Sequence, residues 1–116
     1  IKLAKKISDE QIKQNKRVKI FIQVNIGSEE QKSGVEIHEI VELLNFCNKL
    51  NLDVIGLMCI PPLNQKSGEY FKKINSLNKS FNLQEISMGM SSDYLEAIEN
   101  DATYLRIGSS IFGNRY

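Results

Sequence analysis

The stretch DVIGLMCI, residues 53–60, followed at once by Pro61-Pro62, decides the fold. It is a short, nearly unbroken apolar run with no polar alternation, the pattern of a strand buried on both faces, and the prolines stop it. Strands of that kind belong to parallel sheets covered by helices. Working upstream, Ile37, Ile40, Val41, Leu44 and Cys47 recur at three- and four-residue steps through Leu50, which predicts a helix packed on the sheet. Before it, Gly27 to Gly34 (GSEEQKSG) reads as a polar loop, and Val18 to Asn25 (VKIFIQVN) as a strand with its polar end at the C-terminus. From Ile1 to about Gln14, Leu3, Ala4, Ile7 and Ile12 sit among lysines at helical spacing.

Downstream, Tyr70, Phe71, Ile74, Leu77 and Phe81 mark a helix, and Leu83 to Met88 (LQEISM) a brief strand. Ser92 to about Glu99 is expected to be a short helix with Leu95 and Ile98 inward, and Ala102 to Ile107 (ATYLRI) a last strand. The order is α-β-α-β-α-β-α-β. Strict alternation with short loops implies parallel strands joined by right-handed crossovers, and so an α/β fold. Four such strands suit a small open sheet with helices on both faces, or half of a closed eight-stranded barrel. Periodicity does not choose between them.

Composition narrows the function classes. Lys and Arg number 15 against 14 for Asp and Glu, so a net charge of +1 gives no general reason to expect nucleic acid or an anionic membrane as partner. Any anion must be bound locally. No apolar stretch approaches the length of a membrane span, and a soluble cytoplasmic protein is expected. Cys47 and Cys59 have no second cysteine pair and His38 has no metal-ligand neighbour at useful spacing, so both thiols read as buried and reduced, with no metal site. The chain starts at Ile1, inside an amphipathic pattern, and is expected to be a piece of a longer protein.

Two segments carry the parts of an anion cradle. Ser87 to Asp93 (SMGMSSD) lies between a strand and a helix: Gly89 permits a tight turn, and Ser91 and Ser92 offer hydroxyls and main-chain N–H groups. The same serines also suit plain helix caps. Arg106 to Gly113 (RIGSSIFG) follows the last strand: Gly108, Ser109 and Ser110 again present N–H groups and hydroxyls, and Arg106 shares a strand face with Gly108. The competing structural role for Arg106 is a salt bridge to Glu85, Glu96 or Asp101. In a third stretch, QVNIGSEEQKSG (residues 23–34), Asn25 could face a ligand, while Lys32 more naturally pairs with Glu29 or Glu30. Two Gly/Ser loops on consecutive parallel strands can share one dianion, as in barrels whose phosphate site follows the last two strands.

QVNIGSEEQKSG, GLMCIPP (residues 56–62), SMGMSSD and RIGSSIFGNR (residues 106–115) together resemble the pyridoxal-phosphate homeostasis protein family, in its order and over nearly the whole chain. The resemblance implies the C-terminal half of a (β/α)₈ TIM-type barrel similar to the alanine racemase N-terminal domain. Residues 1–116 would be its last four β/α units. It also implies that Ser91, the main chain around Met90, and Gly108 with Ser109 hold the cofactor phosphate, and that Arg106 faces the pyridine nitrogen. Position 109 is more usually threonine in the family; serine keeps the hydroxyl and the N–H. The implied function is non-catalytic: binding pyridoxal 5'-phosphate, with PLP-dependent apoenzymes as recipients. The competing class is a fold-type III enzyme such as an amino-acid racemase. The family's Schiff-base lysine has no counterpart here. Lys19 is at the wrong end of its strand, and Lys32 and Lys66 lie in polar loops. Half a barrel also exposes two sheet edges, so the missing N-terminal half, or self-association, is expected to cover them.

Overall fold

The alternating pattern folds as four parallel strands, β1 (Lys19–Gln23), β2 (Asp53–Met58), β3 (Glu85–Met90) and β4 (Tyr104–Arg106), in the spatial order β1-β2-β3-β4. The computed structural model describes residues 1–27, 34–62 and 67–107. Helix α1 (Lys2–Gln14) precedes β1, a 3₁₀ turn (Ile37–Glu39) and α2 (Ile40–Lys49) precede β2, α3 (Ser67–Ser80) precedes β3, and α4 (Tyr94–Glu99) precedes β4. Asn15, Asn51 and Asn82, just past the first three helices, all take left-handed backbone geometry, with φ of 53°, 57° and 58°. Asparagine tolerates that conformation, which turns the chain off a helix and back toward the sheet. No helix among the described residues is long and apolar enough to cross a membrane.

Strand order resolves what periodicity left open. A doubly wound sheet reverses its strand order so that crossovers of one hand place helices on both faces. Here the order never reverses. The larger of two buried clusters among the described residues accordingly joins the sheet to the helices: Ile22, Val24, Leu57, Cys59, Ile86 and Met88 meet Ile40 of α2, Phe71 and Ile74 of α3, and Ala97 of α4, while Ala4, Cys47 and Leu52 form the smaller one under α1. The alternate residues of the strands face the other way. Two of them, Phe21 on β1 and Tyr104 on β4, come from the outermost strands yet stack edge to face with ring centroids 5.1 Å apart. Two intervening strands would hold such rings far apart in a flat sheet. The sheet is therefore curled into an arc, concave on the face away from the helices, as in a barrel wall. Gly56 sits beneath this pair: an added Cβ would run into the Glu85 carbonyl of β3 and lie 3.1 Å from the Phe21 ring.

Two expectations need correction. β2 is not buried on both faces: Leu57 is fully buried, but Val54, Ile55 and Met58 are only partly covered, because helices occupy one face. On α4, Leu95 and Ile98 point outward, 63% and 52% exposed, and Ala97 makes the inward contact. The helix has only six residues, and the close approach between Ala97 and Gly89 leaves no room to seat a leucine against the sheet. On α1 the buried residues are Ala4 and Ser8, whereas Leu3 and Ile12 are exposed.

Asn78 on α3 is the polar pin of the core. Its Oδ1 accepts the Leu57 N–H of β2 at 3.0 Å, and its Nδ2 donates to the carbonyls of Leu83 and Glu85, each at 3.0 Å. One buried amide thus joins a helix to two strands. Asn78→Leu keeps the volume but strands three backbone groups, and is expected to destabilise the fold by about 3 kcal/mol. Urea unfolding measures this, and a loss below about 1 kcal/mol would refute the pinning role.

Candidate functional site

Parallel strands bring all their C-terminal ends to one edge, where the sequence places its glycines, serines and Arg106. Arg106 leaves β4 on the concave face. Its Nη1 donates to Ser87 Oγ of β3 at 2.7 Å and its Nη2 to the Cys59 carbonyl just past β2 at 2.9 Å. Neither Glu85, Glu96 nor Asp101 takes the guanidinium as an ion pair among the described residues. Asp101 instead lies 3.7 Å from Lys79 and accepts from Asn75 at the surface. The Arg106 Nε is buried without a hydrogen-bond partner among the described residues.

Beside the guanidinium runs the turn that follows β3. Gly89, with φ of 103°, is the one residue type that fits: a Cβ there would lie 2.6 Å from the Ala97 Cβ and 2.8 Å from Leu105 Cδ2. Met90 ends the strand, and its N–H donates to Asp93 Oδ1 at 2.8 Å, while Asp93 Oδ2 accepts the Ser67 hydroxyl at 2.9 Å from the start of α3. The Met90 carbonyl accepts the Asp93 N–H at 3.1 Å, closing the turn. A cleft of about 740 Å³ opens here, with Ile60, Pro61 and Pro62 on one side, Gly89, Met90, Ser92 and Asp93 on another, and Arg106 inside. Lys72, exposed on α3, also lines it, as do Glu69 of α3 and Glu96 and Glu99 of α4.

The residues singled out by sequence fare unequally. Met90 and Arg106 both line the cleft, and Ser91, half-buried, sits in the turn between Met90 and Ser92. The Met90 N–H is already committed to Asp93. Gly108 and Ser109 lie outside the described residues, as do Lys32 and Lys66. Asn25 is buried, its Nδ2 3.4 Å from Glu36 Oε1, and is not among the residues that line the cleft. Lys19 is the first residue of β1, at the opposite edge of the sheet from the cleft. Sequence reading missed Ser87, Asp93 and Ser67 as working groups. For Ser87 a signal existed, since it alternates with the core residues Ile86 and Met88 and so shares the concave face with Arg106. The Cys59 carbonyl had none, because a backbone acceptor leaves no mark in a sequence.

Cys59 itself is fully buried in the core between sheet and helices, and that burial pushes its thiol up to about 12; Arg106 opposes the shift and Asp93 adds to it. Burial raises the Cys47 thiol as well.

The model of the alanine racemase N-terminal domain family matches residues 1–116. The chain belongs to that family. Among curated proteins it is 40% identical to the pyridoxal phosphate homeostasis protein of Aquifex aeolicus and 38% identical to that of Vibrio alginolyticus, alignments covering 97% and 98% of the chain. They cover 54% and 53% of those proteins, so the chain spans about half the length of the curated relatives it matches. Among solved structures, PipY of Synechococcus elongatus without PLP superposes with a TM-score of 0.85 at 26% identity, over 96% of this chain and 57% of that one. The same protein with PLP bound gives 0.84 at 24%. The fold is thus the α/β arrangement of the PLP-binding barrels, represented here by about half of one.

The thiols supply a test of this geometry. A pKa raised in the folded state costs stability as pH rises: below the ordinary thiol value of 9.0 both states are protonated, and above it the unfolded chain ionises while folded Cys59 waits until about 12. At pH 8 both thiols are therefore expected to resist an aromatic disulfide reagent in the native protein and to react within seconds in denaturant. Fast native labelling of Cys59 would show that the core between sheet and helices is open.

Proposed function

We propose that this chain forms the phosphate and ring-nitrogen side of a pyridoxal phosphate site, in a protein that holds the cofactor reversibly and moderates its supply. The observation that carries the reading is the Arg106 guanidinium, clamped at the strand ends by Ser87 and Cys59 with the Gly89–Asp93 turn beside it. The curated relatives named for pyridoxal phosphate homeostasis support the choice of ligand.

The residues fit such a group. Arginine carries five N–H donors. Among the described residues two are used by Ser87 and Cys59 and the Nε–H is buried, which leaves one on each Nη for an acceptor in the cleft. Ser91, with Gly108 and Ser109 from the loop after β4, supplies hydroxyl and N–H groups to the phosphate. With the Met90 N–H engaged by Asp93, the main-chain contribution near Met90 comes from the rest of the turn.

Pyridoxal phosphate, when bound, supplies an aldehyde and an electron-withdrawing pyridine ring whose pull is strongest with its nitrogen protonated. Arg106 works against that state: a guanidinium is always charged, has no proton to give up at physiological pH, and disfavours a second positive charge facing it. A carboxylate in its place would do the reverse. The arrangement therefore favours holding over turnover, and the intact protein acts as a carrier that releases cofactor to PLP-dependent apoenzymes. Lys19 stands at the far edge of the sheet, and the cleft residue Lys72 is exposed on a helix, so in this reading neither of these described lysines forms a Schiff base with the ligand.

Pyridoxal phosphate at 100 times its Kd should stabilise the chain by about 2.7 kcal/mol, read as a rise in Tm. Arg106→Ala and Ser91→Ala should each weaken binding about tenfold or more. Arg106→Lys should not rescue it, since one ammonium cannot replace the two-armed clamp. Affinity unchanged in both alanine variants would overturn the assignment.

A further inference from the structure

Asp93 occupies the residue before α4, where an aspartate ordinarily caps the helix by accepting an N–H from its first turn. It makes no such bond, and its backbone, at φ −143° and ψ 18°, is turned away from the usual capping geometry. Its carboxylate faces elsewhere. One oxygen takes the Met90 N–H at the end of β3 and the other takes the Ser67 hydroxyl at the head of α3. A carboxylate beside an anion site opposes the anion's charge, so a compensating role is required of it. The geometry supplies one: a two-oxygen acceptor joins two segments that no strand ladder joins, on either side of the cleft.

We infer that Asp93, acting with Ser67, is a positioning residue that holds the Met90–Asp93 turn in the shape that receives a phosphate, and so sets the preference for phosphorylated over unphosphorylated ligand. This rests on the function proposed above. Asp93 touches no ligand in this scheme; it works through Met90 and the turn. The hydrogen bonds matter and the charge does not. An asparagine in its place offers its Oδ1 to Met90 and its Nδ2 to the Ser67 oxygen, keeping both links while removing the repulsion. An alanine keeps neither.

The test is calorimetric titration of the full chain with pyridoxal 5'-phosphate and, separately, with pyridoxal. Asp93→Ala should weaken pyridoxal phosphate at least tenfold and change pyridoxal less than twofold. Asp93→Asn should bind pyridoxal phosphate at least as tightly as the unaltered chain. Ser67→Ala, which cuts one arm and leaves Asp93 and the turn's own bonds, should lose about threefold, again for the phosphorylated ligand alone; it keeps the question answerable if Asp93→Ala fails to fold. Equal losses for both ligands, no loss, or an Asp93→Asn as weak as Asp93→Ala would overturn the inference. If the unaltered chain itself showed no preference for the phosphorylated form, the phosphate-site reading would fall and this inference with it. A preference undiminished in Asp93→Ala and Ser67→Ala would sink the inference alone.

Discussion

The Arg106 guanidinium is the constraint on which the site depends. The β2–β3 register runs to Met58↔Ser87 and stops, because Gly89 turns β3 aside with a backbone geometry that a side chain could hardly share. Beyond that point the Cys59 carbonyl is met by Arg106 instead of by a strand. A charged side chain thus finishes a sheet edge. Its buried Nε, unpartnered among the described residues, is a local imperfection of the kind tolerated where function sets the geometry. Breaking the clamp would leave a buried carbonyl and a buried hydroxyl behind it, so stability and ligand geometry are coupled at this residue.

The same coupling explains what could be read from the residues alone. Apolar period and strand alternation made the eight elements legible, because Ile22, Leu57, Ile74 and Met88 must all enter one core. Strand order and curl were not legible: both follow from which strands pair, and nothing in VKIFIQVN or ATYLRI states its neighbour. α4 misled because its apolar residues are not its buried ones; a six-residue helix pressed close to Gly89 seats Ala97 and sends Leu95 and Ile98 outward. Within the site, Arg106 was visible as a cation on the strand face that Gly108 shares. Its partners were not, since the expected carboxylates are charged and surface-placed, whereas the actual acceptors are a neutral hydroxyl and a carbonyl. Asp93 was hidden for a different reason. A helix expected from Ser92 put Asp93 inside it and left the capping to the serines, whereas the carboxylate is turned to Met90 and Ser67.

Charge at the strand ends is arranged in layers. Asp93 lies on the α3 and α4 side, Arg106 on the concave side, and Cys59, close enough to feel both, is held neutral by burial. A neutral thiol is a poor nucleophile. The Cys59 thiol at the strand ends is thus kept protonated and covered, which removes it as a nucleophile there.

Curl and site are one requirement. β2 and β4 are not neighbours, and in a flat sheet a strand two places away lies about 10 Å distant. Arg106 nonetheless reaches from β4 across β3 to a carbonyl just past β2. Two residues earlier on the same face, Tyr104 reaches further still, to Phe21 on β1. The aromatic contact lies one layer deeper than the guanidinium, so it floors the concavity in which Arg106 sits. Flattening the sheet would part the rings and draw Arg106 off Cys59 together. Tyr104 remains 47% exposed on that face, so the floor is built but not covered. Burying an aromatic surface of this size favours whatever further barrel wall closes over it, and closure would hold the curl that aligns the guanidinium. The curl of the sheet and the reach of Arg106 are then linked through the Phe21–Tyr104 contact, although the described partners of the guanidinium lie on β3 and just past β2.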